Sequence, residues 1–183
     1  NLGAVSYNSN PKIFISELVD DAIKTLGDDS ISLSDKKATI EKIASENVDI
    51  KALGLYTLGD LRKKLEKNKI DEYQLVFKKY FLKSLTSRLT TYSSQKFEVL
   101  GANVKNEKYT IVLSRIAESK EQPEIKVNWR VYTKNPEKPL IRDLIVEGLS
   151  LAKTQKEEFA SILNSNKNDI DILIAKLKEF VAN

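Results

Sequence analysis

The chain has 183 residues, of which 41% are hydrophobic and 31% charged, and its formal net charge is +4. Because acidic and basic residues are mixed along the sequence, this composition is typical of a globular protein and gives no basic footprint for nucleic acid. No apolar run approaches the roughly 18 residues that predict a membrane-spanning helix, which excludes that class of protein.

Cysteine, histidine and methionine are absent from the sequence. Without cysteine and histidine, disulfides, thiol chemistry and imidazole ligands are excluded. Without methionine there is no initiating residue, so we expect that a leader was removed or that the chain is truncated. Because no Pro/Gly/Ser-rich linker divides the sequence, we expect a loose polar arm over residues 1–10 and one domain over residues 11–183.

Three helical patterns come first in the chain. The first begins at Pro11 and ends at Gly27, with apolar residues at intervals of three and four. The second begins near residues 34–35. Asp49 is placed to cap a short third helix, and we expect a bend near Gly59 because glycine weakens a helix interior.

The longest helical pattern runs from Asp71 to about Tyr92. At 1.5 Å per residue this helix would be about 33 Å long. Because aromatic and branched residues recur along one side, we expect it to form one wall of whatever the protein encloses. These residues are Tyr73, Phe77, Tyr80, Phe81, Leu85, Leu89 and Tyr92.

The apolar period changes from 3.6 to 2 after residue 94, which predicts strands. The first strand begins at Phe97, the second at Tyr109, the third holds Trp129, and the fourth runs over residues 140–147. Short turns between them predict an antiparallel meander of about four strands. The residues assigned to the apolar face of the first three strands are Phe97, Val99, Tyr109, Ile111, Leu113, Ile125, Val127, Trp129 and Val131.

The stretch over residues 144–159 joins the last strand to a helix. Thr154 and Glu157 have the spacing of a capping box, which predicts that this helix begins at Thr154 and ends near residue 164. A final helix is predicted from residue 169 or 170 to residue 181. The order of elements predicts an α+β protein in which a curved antiparallel sheet and a helical lid form a cradle.

No catalytic or metal-binding constellation is found in the sequence. Ser150 has no histidine to activate it, and no phosphate loop or calcium loop occurs. Asp143 and Glu147 share one face of a strand about 13 Å apart, which is too far for a paired-carboxylate site. We therefore expect no enzymatic activity, no metal and no cofactor.

Two interpretations of the apolar positions stay open from the residues alone. They form either a filled core or a tunnel for acyl chains. Transfer of a 16-carbon chain, at about 0.8 kcal/mol per CH₂, involves on the order of 12 kcal/mol, so a carrier must hide the tails almost completely. Such a carrier needs no polar side chain to hold the tails, which is consistent with a sequence that has no catalytic constellation.

Residues 146–151 read Val-Glu-Gly-Leu-Ser-Leu, with Asp143 just ahead and Phe159 eight residues after them. This pattern is similar to the signature near the C-terminus of the MlaC family, the periplasmic phospholipid-binding proteins of the system that maintains outer-membrane lipid asymmetry in Gram-negative bacteria. Residues 171–177 and the order of elements from residue 11 to 181 resemble that family too. Pro139, Leu85 and the Gln-Lys pair at 155–156 depart from its pattern.

The resemblance implies a fold similar to the NTF2-like cradle and an apolar cavity for the tails of a diacyl phospholipid, with the headgroup largely in solvent. It implies a periplasmic location, reached through a signal peptide that is not in this chain. It also implies docking to an inner-membrane Mla ABC transporter complex and to an outer-membrane Mla lipoprotein with its porin. We expect a monomer that binds no nucleic acid.

The resemblance and the apolar pattern together assign a set of residues to the lipid site. The alternatives are a non-catalytic helical adaptor with a filled core, and an NTF2-like enzyme with Asp143 or Glu147 as an unusual base. The residues expected to line the lipid site are Phe77, Tyr80, Phe81, Leu85, Phe97, Val99, Ile111, Leu113, Val127, Trp129, Val131, Leu144, Val146, Leu149, Phe159 and Ile162.

Overall fold

Helices occupy the first half of the chain, and a sheet followed by two helices occupies the second, as the change of period predicts. The computed structural model describes residues 6–89 and 96–183. The predicted end of the longest helix at Tyr92 and the first half of the predicted arm lie outside the described residues.

Within those ranges the chain forms six α-helices, one 3₁₀ turn and five strands. The helices are α1 (Pro11–Leu26), α2 (Leu33–Asn47), α3 (Ile50–Thr57), α4 (Lys67–Leu89), α5 (Leu151–Asn164) and α6 (Ile170–Ala182), and the 3₁₀ turn is Gly59–Lys63. The strands are β1 (Phe97–Val104), β2 (Tyr109–Ile116), β3 (Ile125–Tyr132), β4 (Leu140–Val146) and β5 (Leu149–Ser150).

The N-terminal helices begin where their capping residues place them. Asn10 accepts hydrogen bonds from the first amides of α1, and Asp49 accepts one from Ala52 at the start of α3. The exception is α4, which begins at Lys67 rather than at Asp71. Its first three residues, Lys67, Asn68 and Lys69, are polar and give no apolar period from which its start could be predicted.

The predicted start of α5 is wrong. This helix begins at Leu151, and the hydroxyl of Ser150 caps it by accepting a hydrogen bond from the Lys153 amide. Thr154 lies inside the first turn, where its hydroxyl donates to the Ser150 carbonyl at 2.9 Å. The spacing of Thr154 and Glu157 therefore does not form the predicted capping box.

A tertiary contact explains the earlier start. The carboxylate of Asp143, on β4, accepts hydrogen bonds from the Ser150 hydroxyl and from the Ala152 amide. A carboxylate at the amino end of a helix is favourable because the free amides and the helix dipole are positive there. Asp143 is remote from the predicted box in sequence, so a local motif could not reveal its contribution.

The strands form one antiparallel sheet in the order β1-β2-β3-β4-β5, which confirms the predicted meander and adds a two-residue fifth strand. The β4–β5 turn is formed by Glu147 and Gly148, whose φ angles of 49° and 80° suit the tight turns of hairpins. A register shift between Val99 and Gly101 interrupts the pairing of β1 with β2. The α+β prediction with a curved antiparallel sheet is confirmed.

The predicted apolar face of β2 is wrong. Thr110, Val112 and Ser114 are buried, whereas Ile111 and Leu113 are half-buried on the opposite side of the sheet. Residues 111–113 are all apolar, so their alternation cannot fix which face is buried. We call the face that carries Val112 the inner face and the other the outer face.

Two hydrophobic clusters make up the core of the part of the chain that the structure describes. The sheet cluster joins α1 and α2 to the inner face, and its members include Phe14, Ile15, Val112, Val131 and Ile141. The helical cluster joins α3, α4, α5 and α6, and its members include Tyr73, Phe77, Phe159, Leu163 and Leu173. Helix α4 runs from the helical cluster to the sheet cluster, against which Leu85 packs.

Helices α3 and α4 cross closely at Gly54. A Cβ atom added there would lie 2.3 Å from Gln74 Oε1 and 3.0 Å from Phe77 Cδ1. The Gln74 side chain can move, but the Phe77 ring is buried in the helical cluster. The crossing therefore depends on the absence of a side chain at this position.

Gly54→Val should lower the free energy of unfolding by about 2 kcal/mol, because the added side chain overpacks the crossing. Gly101→Val is the matched control, since no atom lies within 4 Å of a Cβ placed there, and it should change stability much less. Chemical denaturation of the two variants measures the difference. Equal losses would contradict a packing constraint at Gly54.

The Tyr73 hydroxyl is buried beside Thr57, with 2.6 Å between the two oxygens. Burial raises the pKa of Tyr73 well above its ordinary value. Tyrosine in the unfolded chain loses its proton near pH of about 10, whereas buried Tyr73 keeps its proton in the folded chain. The protonated Tyr73 therefore stabilises the folded state fully below this pH, and this stabilisation is lost as the pH rises further.

Tyr73→Phe should make the loss of stability above pH of about 10 less steep, by at most about 1.4 kcal/mol per pH unit. Tyr56→Phe, at an exposed tyrosine, is the matched control. Urea unfolding between pH 8 and pH 11 gives both slopes. If the slope of Tyr73→Phe equals that of the unmodified chain, Tyr73 does not govern the alkaline limit.

Candidate functional site

The residues predicted to line a lipid site fall into three groups in the structure. Phe77, Phe159, Val127 and Val131 are buried in the clusters or beside them. A second group is partly exposed: Tyr80, Phe81, Leu85, Phe97, Val99, Trp129, Leu144, Val146 and Ile162. In the third group, Ile111 and Leu113 lie on the outer face, and Leu149 is 58% exposed at the β4–β5 turn.

The second group, without Ile162, defines what we call the apolar seam. Leu85 of α4 packs against the sheet cluster together with Phe97, Val99 and Trp129. The ladder pairs Trp129 with Leu144 on the same face. Helix α4 packs mainly on α2, α3 and α6, whereas α1 and α5 supply the main helical contacts of the sheet. The seam is therefore apolar surface along the boundary between α4 and the inner face of the sheet.

The polar atom of Trp129 is satisfied inside the sheet. Its indole nitrogen donates to Ser114 Oγ at 2.9 Å, and the Ser114 hydroxyl donates in turn to the Val127 carbonyl. The Phe97 ring meets the indole edge-on, with 6.2 Å between the ring centroids. Trp129 therefore presents only its apolar ring to the seam.

The polar atom of Tyr80, on α4, also has a hydrogen-bond partner within the protein. Its hydroxyl donates to Gln155 Oε1 at 3.1 Å. Burial raises the pKa of Tyr80, so the side chain is neutral at physiological pH. The seam thus carries no charge and no unpaired donor at these two positions, which suits hydrocarbon better than a polar substrate.

Two cavities among the described residues have linings that mix charged and polar side chains with apolar ones. One, of about 270 Å³, lies between α1 and α2 and is lined by Asp21, Lys24 and Asp28 among others. The other, of about 230 Å³, lies on the outer side of the sheet beside α3 and the start of α5. Both are smaller than the roughly 300–1,000 Å³ of usual ligand sites, and neither is lined by the seam.

Sequence reasoning missed the outer cavity. Its polar lining includes Tyr109, Arg130 and Arg142 from the strands and Lys153 from α5. The available signal was the alternation of β3, which places Arg130 and Tyr132 opposite Trp129. That alternation could not show that α3 and the start of α5 line a cavity together with Arg130.

The carboxylates of the enzyme alternative do not form a site together. Asp143 is engaged by Ser150 and Ala152, whereas Glu147 is exposed on the β4–β5 turn and accepts the Lys126 amide at 2.6 Å. A shared catalytic cavity would require both groups to be buried at its mouth.

In the described ranges, no group of three or more acidic side chains is arranged to hold a metal ion, and no helix is long and apolar enough to cross a membrane.

Comparison with known proteins gives two results. The family model of the MlaC protein matches residues 16–179. The fold is similar to that of a phospholipid-binding protein from Ralstonia solanacearum whose structure contains a phospholipid, with a TM-score of 0.77, 19% identity, and coverage of 96% of this chain and 97% of that chain. Among curated proteins, no sequence matches this chain.

Ser114→Ala should destabilise the chain by about 1–3 kcal/mol, because it leaves the Trp129 indole nitrogen without its acceptor. In a Trp129→Phe background the same change should cost less, by about 1 kcal/mol, because the indole donor is already gone. Denaturant unfolding of the four proteins of this cycle measures the coupling. Strict additivity would contradict the proposed pairing of Ser114 with Trp129.

Proposed function

Because this chain belongs to the MlaC family, we propose that it is a periplasmic carrier that holds the acyl chains of a diacyl phospholipid along the apolar seam. It transfers this lipid between an inner-membrane Mla ABC transporter complex and an outer-membrane Mla lipoprotein with its porin. It acts as a monomer, without cofactor or catalysis, and residues 11–183 form its lipid-binding domain.

The apolar seam is the observation that carries the proposal. Large apolar side chains there are partly exposed, although burying them would stabilise the fold by about 25 cal/mol for each Å² removed from water. The polar atoms of Trp129 and Tyr80 are paired within the protein. A surface of this kind stabilises a hydrocarbon chain and offers nothing to a polar ligand.

The size of the cargo sets a further condition. Two 16-carbon tails involve on the order of 25 kcal/mol of transfer free energy, so a carrier must cover most of their length. The cavities of about 270 and 230 Å³ are small for two such tails, and neither is lined by the seam. We therefore infer that lipid entry separates α4 from the inner face of the sheet, so that Leu85 moves away from the sheet cluster.

A second candidate function is a non-catalytic adaptor with a filled core. The burial of Phe77, Phe159 and Val131 in the clusters favours it, because these side chains already contact protein on all sides. The two candidates differ in one measurable property. A carrier gains the mass of a lipid, and an adaptor does not.

Leu144→Lys should abolish lipid binding, because it places a charge against the tails on the inner face. Ile145→Lys is the matched control: the same change one residue along β4 points to the outer face, and lipid binding should persist. Native mass spectrometry of the protein purified from Gram-negative cells, and again after loading with phospholipid, measures the bound mass.

Thermal unfolding establishes that both variants are folded. If the unmodified chain carries no lipid and cannot be loaded, the carrier proposal fails and the adaptor is favoured. If Leu144→Lys binds lipid as well as Ile145→Lys, lipid binds the chain but not along the seam.

A further inference from the structure

The outer cavity has a strongly basic lining. Arg130, Arg142 and Lys153 contribute three cationic side chains to it, and Asp143 is its one acidic side chain. Both oxygens of Asp143 already accept hydrogen bonds, from the Ser150 hydroxyl and the Ala152 amide. These neutral donors leave the charge of Asp143 in place, so three cations against one carboxylate give the lining a net surplus of two positive charges.

The arginines are held in place by tyrosine rings. The Arg130 guanidinium lies 3.9 Å from the centroid of the Tyr109 ring, and that of Arg142 lies 3.6 Å from the centroid of the Tyr132 ring. Arg142 is also paired with Asp49 at 2.9 Å. Stacked guanidinium groups are ordered in advance, so little conformational entropy is lost when they bind a ligand.

Several donors in this cavity are unused. In the described part of the chain, neither Arg130 nor Lys153 lies within 4.0 Å of a carboxylate. The Tyr109 hydroxyl accepts a hydrogen bond from Arg142 at 2.8 Å, which leaves its own proton free to donate. Lys156, whose ammonium lies 5.0 Å from the ring centroid of Tyr56 at the cavity wall, adds a further positive charge nearby.

We propose that the outer cavity is a binding site for a phosphate group. Its donors come from three sides, namely Arg130 on β3, the hydrogen-bonded side chains of Tyr109 and Arg142, and Lys153 in the first turn of α5. A tetrahedral phosphate has acceptor oxygens in as many directions, whereas a planar carboxylate has only two oxygens. The volume of about 230 Å³ accommodates a phosphate ester but not a large ligand.

The site is independent of the proposed lipid carriage. The donors lie on the outer face, and the seam lies on the inner face of the same sheet. The phosphate could belong to a soluble ester or to the headgroup of a phospholipid in a membrane. The same donors would recognise both, so the experiment has to separate them.

Isothermal titration calorimetry at low ionic strength, with inorganic phosphate and with glycerol 3-phosphate, tests binding directly. Saturable binding is expected, and Arg130→Gln combined with Lys153→Gln should weaken it about tenfold or more. Lys78→Gln combined with Lys79→Gln is the matched control, because it removes two charges from an exposed face of α4 and should change affinity less than about twofold. Lys153→Gln alone is a second variant that leaves the stacking of Arg130 intact.

Sedimentation with phosphatidylglycerol vesicles separates the two sources. If the soluble ester binds and the vesicles do not, the ligand is a free phosphate ester. If vesicle binding is lost in the Arg130/Lys153 variant but not in the Lys78/Lys79 control, it is a headgroup. Either result supports the site.

Three results would overturn the proposal. The first is no saturable binding of phosphate, of the ester or of vesicles. The second is equal weakening in both double variants, which would mean unspecific attraction to net charge. The third is binding of a glutamate-rich peptide that depends on Arg130 while no phosphate compound binds, which would make the cavity a contact for an acidic protein.

Discussion

The antiparallel pairing of β3 with β4 separates two kinds of surface across a single sheet. Trp129 and Leu144 are partners on the inner face, and the next pair, Arg130 with Asp143, projects to the outer face. A slip of one residue in this register would bring the charged pair into the core and expose the indole. The apolar seam and the basic cavity therefore depend on the same ladder.

Several contacts hold that register. Glu147 fixes the end of β4 to the start of β3, because its amide donates to the Lys126 carbonyl and its carboxylate accepts the Lys126 amide. At the other end a register shift beside Val131 lets Ile141 enter the sheet cluster. Asp143 then joins β4 to the first turn of α5. The MlaC-like signature is thus a set of structural contacts around a hairpin, and none of its residues has a catalytic arrangement.

Much of the fold could be predicted because it is encoded locally. Asp49 caps α3 through its own neighbours, and the alternation in β3 places Trp129 correctly. The features that could not be predicted depend on partners remote in sequence. Asp143 moves the start of α5, and the choice of buried face in β2 depends on Ser114, a polar residue that becomes acceptable in the core only through its bonds to β3. The outer cavity was missed for the same reason, since its walls come from five separate segments.

The register shift in β1 has a consequence for the behaviour of the protein in a crowded compartment. β1 is the long terminal strand of the sheet, and such an edge offers unpaired amides and carbonyls to the strands of other molecules. The shift leaves Leu100 unpaired in the ladder and 55% exposed. A bulge of this kind bends and twists the edge, so a second molecule cannot add a continuous strand to it. The same irregularity that shortens the regular ladder thus protects the chain against edge-to-edge aggregation.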